Sequence, residues 1–413
     1  MQLVHLRSRA ADFISSRLVK KSVLEIRMRD LLCSAVLATL LAAAGLAASP
    51  AAAQPLCQGV VTQVDAAGRA SLAKGAPGMV IAASAPGYEP LIRSYGLADL
   101  EARAALRSDS VFKIASLTKQ FTAAAVLALA EEGKLDLDRS ARTYLPQYDW
   151  MGEVTVRQLL VQTSGLPDYA QTLASGGTKA AARTPAQMAA VIGDLAPSKA
   201  FQAGERWEYS NSNYVLLGLL IEQVSGQSFE AFLERRVLQP AGMGASGVDH
   251  PADIVPGRVR GYSRAEDEGR TLRNADWIDP SIPGPAGALR STAGDLLAWS
   301  KALFDGRVIG SASLAQMTAP GRLADGRTTR LGMPQAWQDG LKADYAMGLF
   351  RAQSPLGPKL WHSGDIEGFS TWMAHYPERK ITLVILTNAD FVDLDSDRLE
   401  AIFAAPDVCA SAP

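Results

Sequence analysis

The chain has 413 residues, of which 48% are hydrophobic and 20% are charged, with 41 basic against 42 acidic residues. This is the composition of a folded globular protein with room for a large core, and it excludes collagen-like and long disordered architectures. A net charge of −1 without a dense basic block gives no surface for nucleic acid, so no nucleic-acid partner is expected.

The N-terminal segment, residues 1–53, is predicted to be a leader and export signal. Residues 31–48 are an unbroken apolar run, and Ala51-Ala52-Ala53 has the small side chains of a signal-peptidase site. Cleavage there would leave residues 54–413 as a periplasmic or secreted protein without a stable membrane anchor. The alternative is an uncleaved anchor, because about 18 apolar residues approach the length that spans a bilayer. Met28 is an alternative initiator, since it would give a signal of ordinary length.

The histidines and cysteines do not suggest a metal centre. His250, His362 and His375 are not at the spacing of metal ligands, and no Cys-x-x-Cys occurs. No cofactor is therefore predicted. Cys57 and Cys409 are either a disulfide pair or two free thiols, and the residues alone leave both readings open.

After a first helix, the predicted elements of the exported chain begin with strands and end with strands. In chain order they are a helix over 58–74, strands over Met79–Ser84 and Leu91–Ala98, a helix over Phe121–Glu132 stopped by Gly133, mainly helices over 134–285 (Tyr214–Val224 and Phe229–Leu238 among them), and a strand hairpin over Thr371–Tyr376 and Ile381–Thr387. This order predicts an α+β fold with one antiparallel sheet assembled from both ends of the chain. The sheet lobe is expected over about 54–120 and 286–413, and an inserted helical lobe over about 121–285.

The pattern Ser-x-x-Lys occurs three times, beginning at Ser71, Ser110 and Ser116. Nucleophilic chemistry needs the serine at the first turn of a helix, so that the lysine three residues later shares its face. Only Ser116, with Lys119, opens a long apolar helix, whereas Ser71 ends a helix and Ser110 lies on a strand. The alternative for Ser116 is a helix-capping serine beside a solvated lysine.

Two further segments favour catalysis over capping. Tyr209-Ser210-Asn211 places a phenol and an amide just before a helix, and His362-Ser363-Gly364 has small residues on a strand that a substrate backbone could approach closely. Taken singly, Tyr209 fits a core tyrosine and His362 a surface histidine. Their order after Ser116 makes a shared site the better interpretation.

Five motifs in order carry a resemblance to a known family: FKIASLTKQFTAAAVLALAEEGKLDLD, LLVQTSGLPDY, YSNSNYVLLG, PAGALRSTAGDLLAW and HSGDIEGFS. With them the sequence resembles the serine β-lactamase-like superfamily, in the branch of class C β-lactamases, D-alanyl-D-alanine carboxypeptidases, D-aminopeptidases and related esterases. The resemblance implies a β-lactamase/transpeptidase-like fold. Two positions depart from the family pattern: Gln162 replaces the usual His, and Glu367 a frequent Pro. Gln162 is expected to affect packing more than catalysis.

The resemblance also implies an acyl-enzyme mechanism for a serine hydrolase. Ser116 would be the nucleophile, and either Lys119 or Tyr209 would be the general base. The backbone N–H groups of Ser116 and Asp365 would form the oxyanion hole. Substrate-binding roles are implied for Asn211, His362, Ser363, Gly364 and Asp365. Because the first and last helices pack side by side in this family, the resemblance further implies a Cys57–Cys409 disulfide.

The third motif bears on the substrate, which is expected to be a small molecule or peptide. It carries no lysine for a substrate carboxylate, and Asp365 and Glu367 follow, which would point the same way on an extended segment. If these side chains face the pocket, they would favour a neutral ester, an amide or a D-amino-acid peptide. If they face solvent, they would not influence which substrate binds. The alternatives are a β-lactamase or D-alanyl-D-alanine carboxypeptidase, and a catalytically silent binding protein on the same fold. The oligomeric state does not follow from the sequence.

Overall fold

The computed structural model of the protein describes residues 53–72, 76–174, 179–265, 271–332 and 342–405. The predicted export signal, the alternative start at Met28 and Cys409 lie outside these ranges. None of the helices within them has the length and apolar character of a membrane-spanning segment.

The strands are numbered in chain order: β1 (Met79–Ser84), β2 (Leu91–Tyr95), β3 (Leu97–Asp99), β4 (Ala104–Ala105), β5 (Phe112–Lys113), β6 (Gly247–Val248), β7 (Tyr262–Arg264), β8 (Leu272–Asn274), β9 (Leu289–Ser291), β10 (Asp344–Tyr345), β11 (Phe350–Ser354), β12 (Gly357–Ile366), β13 (Phe369–Tyr376) and β14 (Ile381–Thr387). The main sheet has the order β10-β11-β12-β13-β14-β1-β2, with antiparallel neighbours throughout. Because β1 pairs with β14, both ends of the chain share one sheet, which confirms the predicted fold class.

The helices lie mainly between β5 and β10 in the chain. They are α1 (Gln58–Ala70), α2 (Thr118–Glu131), α3 (Val156–Leu160), α4 (Tyr169–Ala174), α5 (Pro185–Leu195), α6 (Asn211–Ser225), α7 (Phe229–Leu233), α8 (Gln239–Ala241), α9 (Ala293–Phe304), α10 (Ser311–Thr318), α11 (Thr329–Gly332) and α12 (Ser396–Ala404). Residues from Gln54 onward form one compact unit. The finer division into a sheet lobe and a helical lobe stays a prediction.

Hydrophobic cores lie on both faces of the main sheet. On β1, Val80 and Ala82 belong to one core, and Met79, Ile81 and Ala83 belong to the other. The first core also contains α2, and the second contains apolar residues of α1 and α12. Both faces of the central strands are therefore buried, which explains why they read as continuous apolar runs rather than as alternating ones.

Two helices begin earlier than their apolar stretches predict, because polar residues in their first turns are buried with partners. α2 begins at Thr118, before the apolar stretch from Phe121 and as the Ser-x-x-Lys interpretation required, and α6 begins at Asn211 instead of Tyr214. Lys119 is completely buried in α2, where an unpaired charge would be costly. Hydrophobicity alone therefore misplaced both starts.

Two other predicted boundaries were too long. The first helix ends at Ala70 rather than at residue 74, because the Ser71 hydroxyl donates to the last turn. The strand expected over Leu91–Ala98 breaks at Gly96, which has φ 78°. This left-handed conformation separates β2 from β3, and glycine adopts it without strain.

Helices α1 and α12 pack against each other and against the same face of the sheet. Cys57 directly precedes α1 and is disulfide-bonded. Its expected partner, Cys409, lies outside the described residues, so the Cys57–Cys409 pairing stays a prediction.

Candidate active site

Ser116 lies in a 3₁₀ turn, Ala115–Leu117, that leads directly into α2. Ala115 has φ 46°, a strained conformation for a residue with a Cβ. Strand β12 covers this turn: a Cβ on Gly364 would lie 2.4 Å from the Ile114 carbonyl oxygen and 2.9 Å from the Ser116 nitrogen. Glycine at 364 is therefore what lets β12 lie against the serine backbone, as the substrate-strand prediction requires.

Lys119 is one turn into α2 and points its ammonium group at Ser116. Its Nζ lies 3.0 Å from Ser116 Oγ, 2.8 Å from Asn211 Oδ1 and 2.8 Å from the Ala286 carbonyl oxygen. The side chain is completely buried, and this desolvation lowers the pKa of Lys119 to about 7, against an opposing effect of the Asp168 carboxylate. The solvated-lysine alternative is therefore wrong.

Tyr209, just before α6, contacts Ser116, and Asn211, the first residue of α6, contacts Lys119. The Tyr209 hydroxyl donates to Ser116 Oγ over 2.9 Å. Asn211 is oriented by Asp168, whose carboxylate accepts from the Asn211 backbone at 3.2 Å and from its side-chain amide at 3.0 Å. With its NH₂ group donating to Asp168, the Asn211 amide presents its oxygen to Lys119.

His362 lies behind Tyr209 rather than at the surface. It is 2% exposed, and its ring centroid is 6.2 Å from that of Tyr209. Its Nε2 is 3.4 Å from the hydroxyl of the buried Tyr345. Desolvation, with the nearby Lys119 charge, lowers the pKa of His362 to about 3, so the ring is neutral at physiological pH. The prediction of a surface histidine as the alternative is wrong, and the residue supports Tyr209 from the protein interior.

A cavity of about 400 Å³ opens at Ser116 and carries charge at its rim. Apolar side chains of Tyr169, Ile278, Ile282, Pro283 and Ile366 line it, together with Asn211, Lys179, Asp365, Glu367 and Asp390. The segment was predicted to be extended through Glu367, but β12 ends at Ile366 and Gly368, with φ 78°, turns the chain. Asp365 and Glu367 nevertheless both line the cavity.

The rim carboxylates differ in their partners. Glu367 forms an ion pair with Lys179, 2.8 Å between Oε1 and Nζ. Asp365 accepts from the Ser370 hydroxyl at 2.8 Å, and Asp390 accepts from the Gly368 backbone at 2.9 Å. Desolvation, together with repulsion from Asp390, raises the pKa of Asp365. The described residues give these two carboxylates neutral donors but no cation.

Ser71, Ser110 and Lys113 of the other two Ser-x-x-Lys copies do not line this cavity. Ser71 caps α1 and donates to Ala67, and Lys74 lies outside the described residues. Ser110 accepts from the Arg107 backbone, and Lys113 lies 4.9 Å from the ring centroid of Trp277. Among the described groups of His, Cys, Asp and Glu, none is arranged to hold a metal ion.

Several groups that shape the site were not identified from the sequence. Asp168 lies within the motif LLVQTSGLPDY, and an acidic residue in a motif of the family could have indicated a role in the site. The Ala286 carbonyl has no side-chain signal at all. Lys179 and Asp390 reach the cavity from loops that are distant from the motifs in sequence.

Gln162, a departure from the family pattern, is fully buried with φ 63°. Its backbone oxygen accepts from the Glu208 N–H at 3.0 Å, and its side-chain oxygen accepts from the Ser210 N–H at 3.2 Å. Gln162 thus holds the chain on both sides of Tyr209. The expectation that it serves packing is consistent with this position, and its packing acts on a residue that contacts Ser116.

Replacing Gln162 is therefore expected to affect turnover through Tyr209. Gln162→Leu should lower kcat about tenfold and leave KM within about twofold, because it removes the buried acceptor of the Ser210 N–H and of the Asn213 side-chain amide, at a cost of roughly 1–3 kcal/mol for a donor left unpaired. Gln162→Glu, which keeps the acceptor oxygen, should recover part of the loss. Steady-state kinetics at equal folded fraction would test this, and an unchanged kcat in Gln162→Leu would contradict it.

The comparisons with known proteins agree with this geometry. The Beta-lactamase family model matches residues 59–405. Penicillin-binding protein 4* of Bacillus subtilis (strain 168) is 30% identical over 310 residues, 72% of this chain and 65% of the relative. A D-aminopeptidase of Brucella canis is 29% identical over 321 residues, 76% of this chain and 56% of the relative. The crystal structure of a D-stereospecific amidohydrolase from a Streptomyces species superposes with a TM-score of 0.69 at 27% identity, covering 87% of this chain and all of the other.

Fold and site together define a protein of the serine β-lactamase and transpeptidase class. The chain belongs to the Beta-lactamase family, and its relatives in that family are hydrolases, among them a D-aminopeptidase and a D-stereospecific amidohydrolase. It spans less than two thirds of the length of the two curated relatives named above.

Proposed function

We propose that the protein is an exported serine hydrolase that forms an acyl-enzyme on Ser116 and cleaves small esters or D-amino-acid amides. One observation carries the proposal: Ser116 Oγ lies 3.0 Å from Lys119 Nζ and 2.9 Å from the Tyr209 hydroxyl, at the mouth of a cavity. Ser116 would attack the substrate carbonyl, and water would then release the acyl group. Export rests on the apolar run of residues 31–48 and the small residues before Gln54.

The contacts of Lys119 favour it as the general base. Two of its three acceptors are carbonyl oxygens, on Asn211 and Ala286, which accept hydrogen bonds and cannot donate. Of the three, only the Ser116 hydroxyl can also donate a hydrogen bond to Lys119. When Lys119 loses its proton it still donates to both carbonyl oxygens, and its lone pair then faces the Ser116 hydroxyl.

Tyr209 is better suited to donate a proton than to remove one. Burial raises its pKa well above the ordinary value for tyrosine, so the phenol keeps its proton at neutral pH. It donates to Ser116 Oγ in the free enzyme. As the tetrahedral intermediate collapses to the acyl-enzyme, it would pass its proton to the leaving group, and the proton that Lys119 took from Ser116 would restore the phenol. We therefore assign Lys119 as base and Tyr209 as acid.

The geometry of β12 supports an oxyanion hole at the Ser116 and Asp365 N–H groups. β11 pairs with β12 only as far as Trp361, so the following residues of that edge have no strand partner in the main sheet. This free edge begins at His362 and passes Gly364, which packs against the Ser116 backbone. A substrate carbonyl at this edge would meet preorganised backbone donors, worth about 3 kcal/mol each in the transition state.

The charges of the cavity favour a substrate without a carboxylate. Lys179 is already paired with Glu367, whereas among the described residues the Asp365 and Asp390 carboxylates have neutral donors only. A substrate anion would meet uncompensated negative charge, and a substrate ammonium group would be attracted. We infer a preference for D-amino-acid amides with a free amino group and for neutral esters over β-lactams and peptides with a free carboxylate.

A matched pair of substrates tests this preference. We expect kcat/KM for D-alanine amide to exceed that for an N-acylated dipeptide with a free carboxylate by about tenfold or more, a difference of about 1.4 kcal/mol. Asp365→Asn and Asp390→Asn should narrow the ratio, while hydrolysis of neutral p-nitrophenyl acetate should change little. A preference for the free carboxylate that both variants retain would show the charge argument to be wrong.

A catalytically silent fold is the alternative that needs its own test. Incubation with a fluorophosphonate should label Ser116 and no other serine, as peptide mapping by mass spectrometry would show. An unlabelled Ser116 in folded protein would contradict the proposed hydrolase.

A further inference from the structure

A second cavity, of about 390 Å³, is lined by the middle of α6, whereas the active-site cavity is lined by Asn211 at the start of that helix. Its walls come from α5, α6, the start of α7 and the segments 248–251 and 279–288. They are mainly apolar, with contributions from Met188, Val215, Leu219, Phe229, Val248 and Pro285. Its volume and apolar lining are those of a small-molecule site, and no residue proposed for catalysis lines it.

The segment 279–288 separates this second cavity from the active-site cavity. Ile282 and Pro283 line the active-site cavity, and Pro285 lines the second one. Between these faces, the Ala286 carbonyl accepts from Lys119. The main chain that holds the proposed base is therefore in contact with whatever fills the second cavity.

The same segment packs tightly against α6. A Cβ on Gly218 would lie 2.0 Å from the Pro285 ring, so glycine is required where the two meet. The Pro285 carbonyl accepts from Thr122 of α2 at 2.7 Å. Asn211, at the start of α6, contacts Lys119. Both walls of the second cavity thus continue into residues that touch Lys119.

The polar groups of the second cavity indicate the chemistry of its occupant. Arg183 lines the cavity, and no described residue accepts a hydrogen bond from its guanidinium group. A guanidinium group at a cavity wall has several N–H donors that a ligand oxygen can accept from. The nearby carboxylates already have donors, as in Glu222 with the Phe229 N–H, Glu230 with His250, and Asp279 with Ser281.

The charge of the second cavity decides whether the acceptor group of the ligand should be anionic or neutral. Three carboxylates line the cavity against one guanidinium and one imidazole, so an anionic ligand would add to a negative surplus. A neutral carbonyl oxygen satisfies Arg183 without that repulsion. The occupant should therefore have an apolar body and a neutral acceptor oxygen.

We propose that this cavity is an effector site for a small neutral molecule that combines an apolar body with a carbonyl oxygen. The molecule packs between α6 and the segment 279–288 and accepts from Arg183. By filling the cavity it holds the Ala286 carbonyl against Lys119, which raises catalytic efficiency. Binding is independent of the proposed function, whereas the effect on catalysis rests on it.

Three naphthalenes of similar size test the site: 2-acetylnaphthalene, 2-ethylnaphthalene and 2-naphthoate. Ser116 is first blocked with a fluorophosphonate, so that titration calorimetry reports the second cavity. We expect one equivalent of 2-acetylnaphthalene to bind, about fivefold more tightly than 2-ethylnaphthalene, since a buried hydrogen bond contributes about 1 kcal/mol. Arg183→Leu should remove this difference, and Leu219→Trp, which fills the cavity, should abolish binding.

The unblocked enzyme tests the coupling. Saturating 2-acetylnaphthalene should raise kcat/KM for p-nitrophenyl acetate about twofold in wild type and leave it unchanged in Leu219→Trp. No binding to the blocked enzyme, equal binding to Leu219→Trp, or tighter binding of 2-naphthoate would overturn the site. Binding without a change in kcat/KM would overturn the effector role alone. If Leu219→Trp does not fold, Arg183→Leu still decides the acceptor argument.

Discussion

Ser116→Ala is expected to lower kcat/KM for p-nitrophenyl acetate by about 10⁴-fold or more, because the variant has no oxygen to form the acyl-enzyme. The effect should fall on kcat, since the cavity and the edge of β12 remain intact. Steady-state kinetics, with mass spectrometry to detect the acyl-enzyme in wild type, measures both consequences. Turnover in Ser116→Ala comparable to wild type would contradict the mechanism.

The other Ser-x-x-Lys copies supply matched controls. Ser71→Ala removes one hydrogen bond at the end of α1, and Ser110→Ala removes one acceptor for the Arg107 N–H. Both should change kcat/KM by less than about twofold and cost at most about 1–2 kcal/mol of folding free energy. A loss of activity in either variant at full folding would relocate the nucleophile.

The second large effect concerns the protonation of Lys119. Its pKa is lowered to about 7 by burial, and a base must be neutral to accept the Ser116 proton. We therefore expect kcat/KM for a neutral ester to fall about tenfold per pH unit below pH 7 and to level off above it. His362 does not contribute to this limb, because its pKa is about 3. The pH profile distinguishes two mechanisms: with Tyr209 as base and Lys119 protonated, activity would instead decline as the pH rises through 7.

Substitution of Lys119 tests its role as the general base without a change of pH. Lys119→Met removes the base. Lys119→Arg keeps the positive charge, but its guanidinium does not lose a proton and so cannot act as a base. Both should lower kcat/KM about 10³-fold, within the range expected for loss of general base catalysis. Lys113→Met is the matched control, because Lys113 belongs to a second Ser-x-x-Lys copy and contacts Trp277 instead. Substantial activity in Lys119→Arg would show that the charge, and not the lone pair, is what matters.

Much of the fold was predictable because the signals are local. The strands β13 and β14 are rich in aromatic and β-branched residues and flank Pro377-Glu378-Arg379-Lys380, and they pair as the predicted hairpin. Gly133 follows α2 with φ 68°, as expected for a residue that ends a helix. Boundaries failed where a polar side chain is buried with a partner, as at Lys119, since local hydrophobicity carries no information on distant partners.

The identity of the candidate site residues followed from residue types, spacing and order along the chain, and the sequence by itself determined Ser116, Lys119, Tyr209 and Asn211 as the candidates. A serine and a lysine three residues apart on a helix share a face whatever surrounds them. The resemblance added the role of each residue, including the oxyanion role of the Asp365 N–H. None of this required knowledge of what lies beside the site.

Only the tertiary structure decided what these residues can do chemically. The pKa of Lys119 depends on complete burial and on the Asp168 carboxylate, and the orientation of its amine depends on the carbonyl oxygens of Asn211 and Ala286, which are 92 and 167 residues away. The charge of the cavity likewise depends on Lys179 pairing with Glu367 while Asp390 finds no cation in the described chain. Desolvation and Coulomb interactions act through space, so a pattern read along the chain names the groups but does not set their proton affinities.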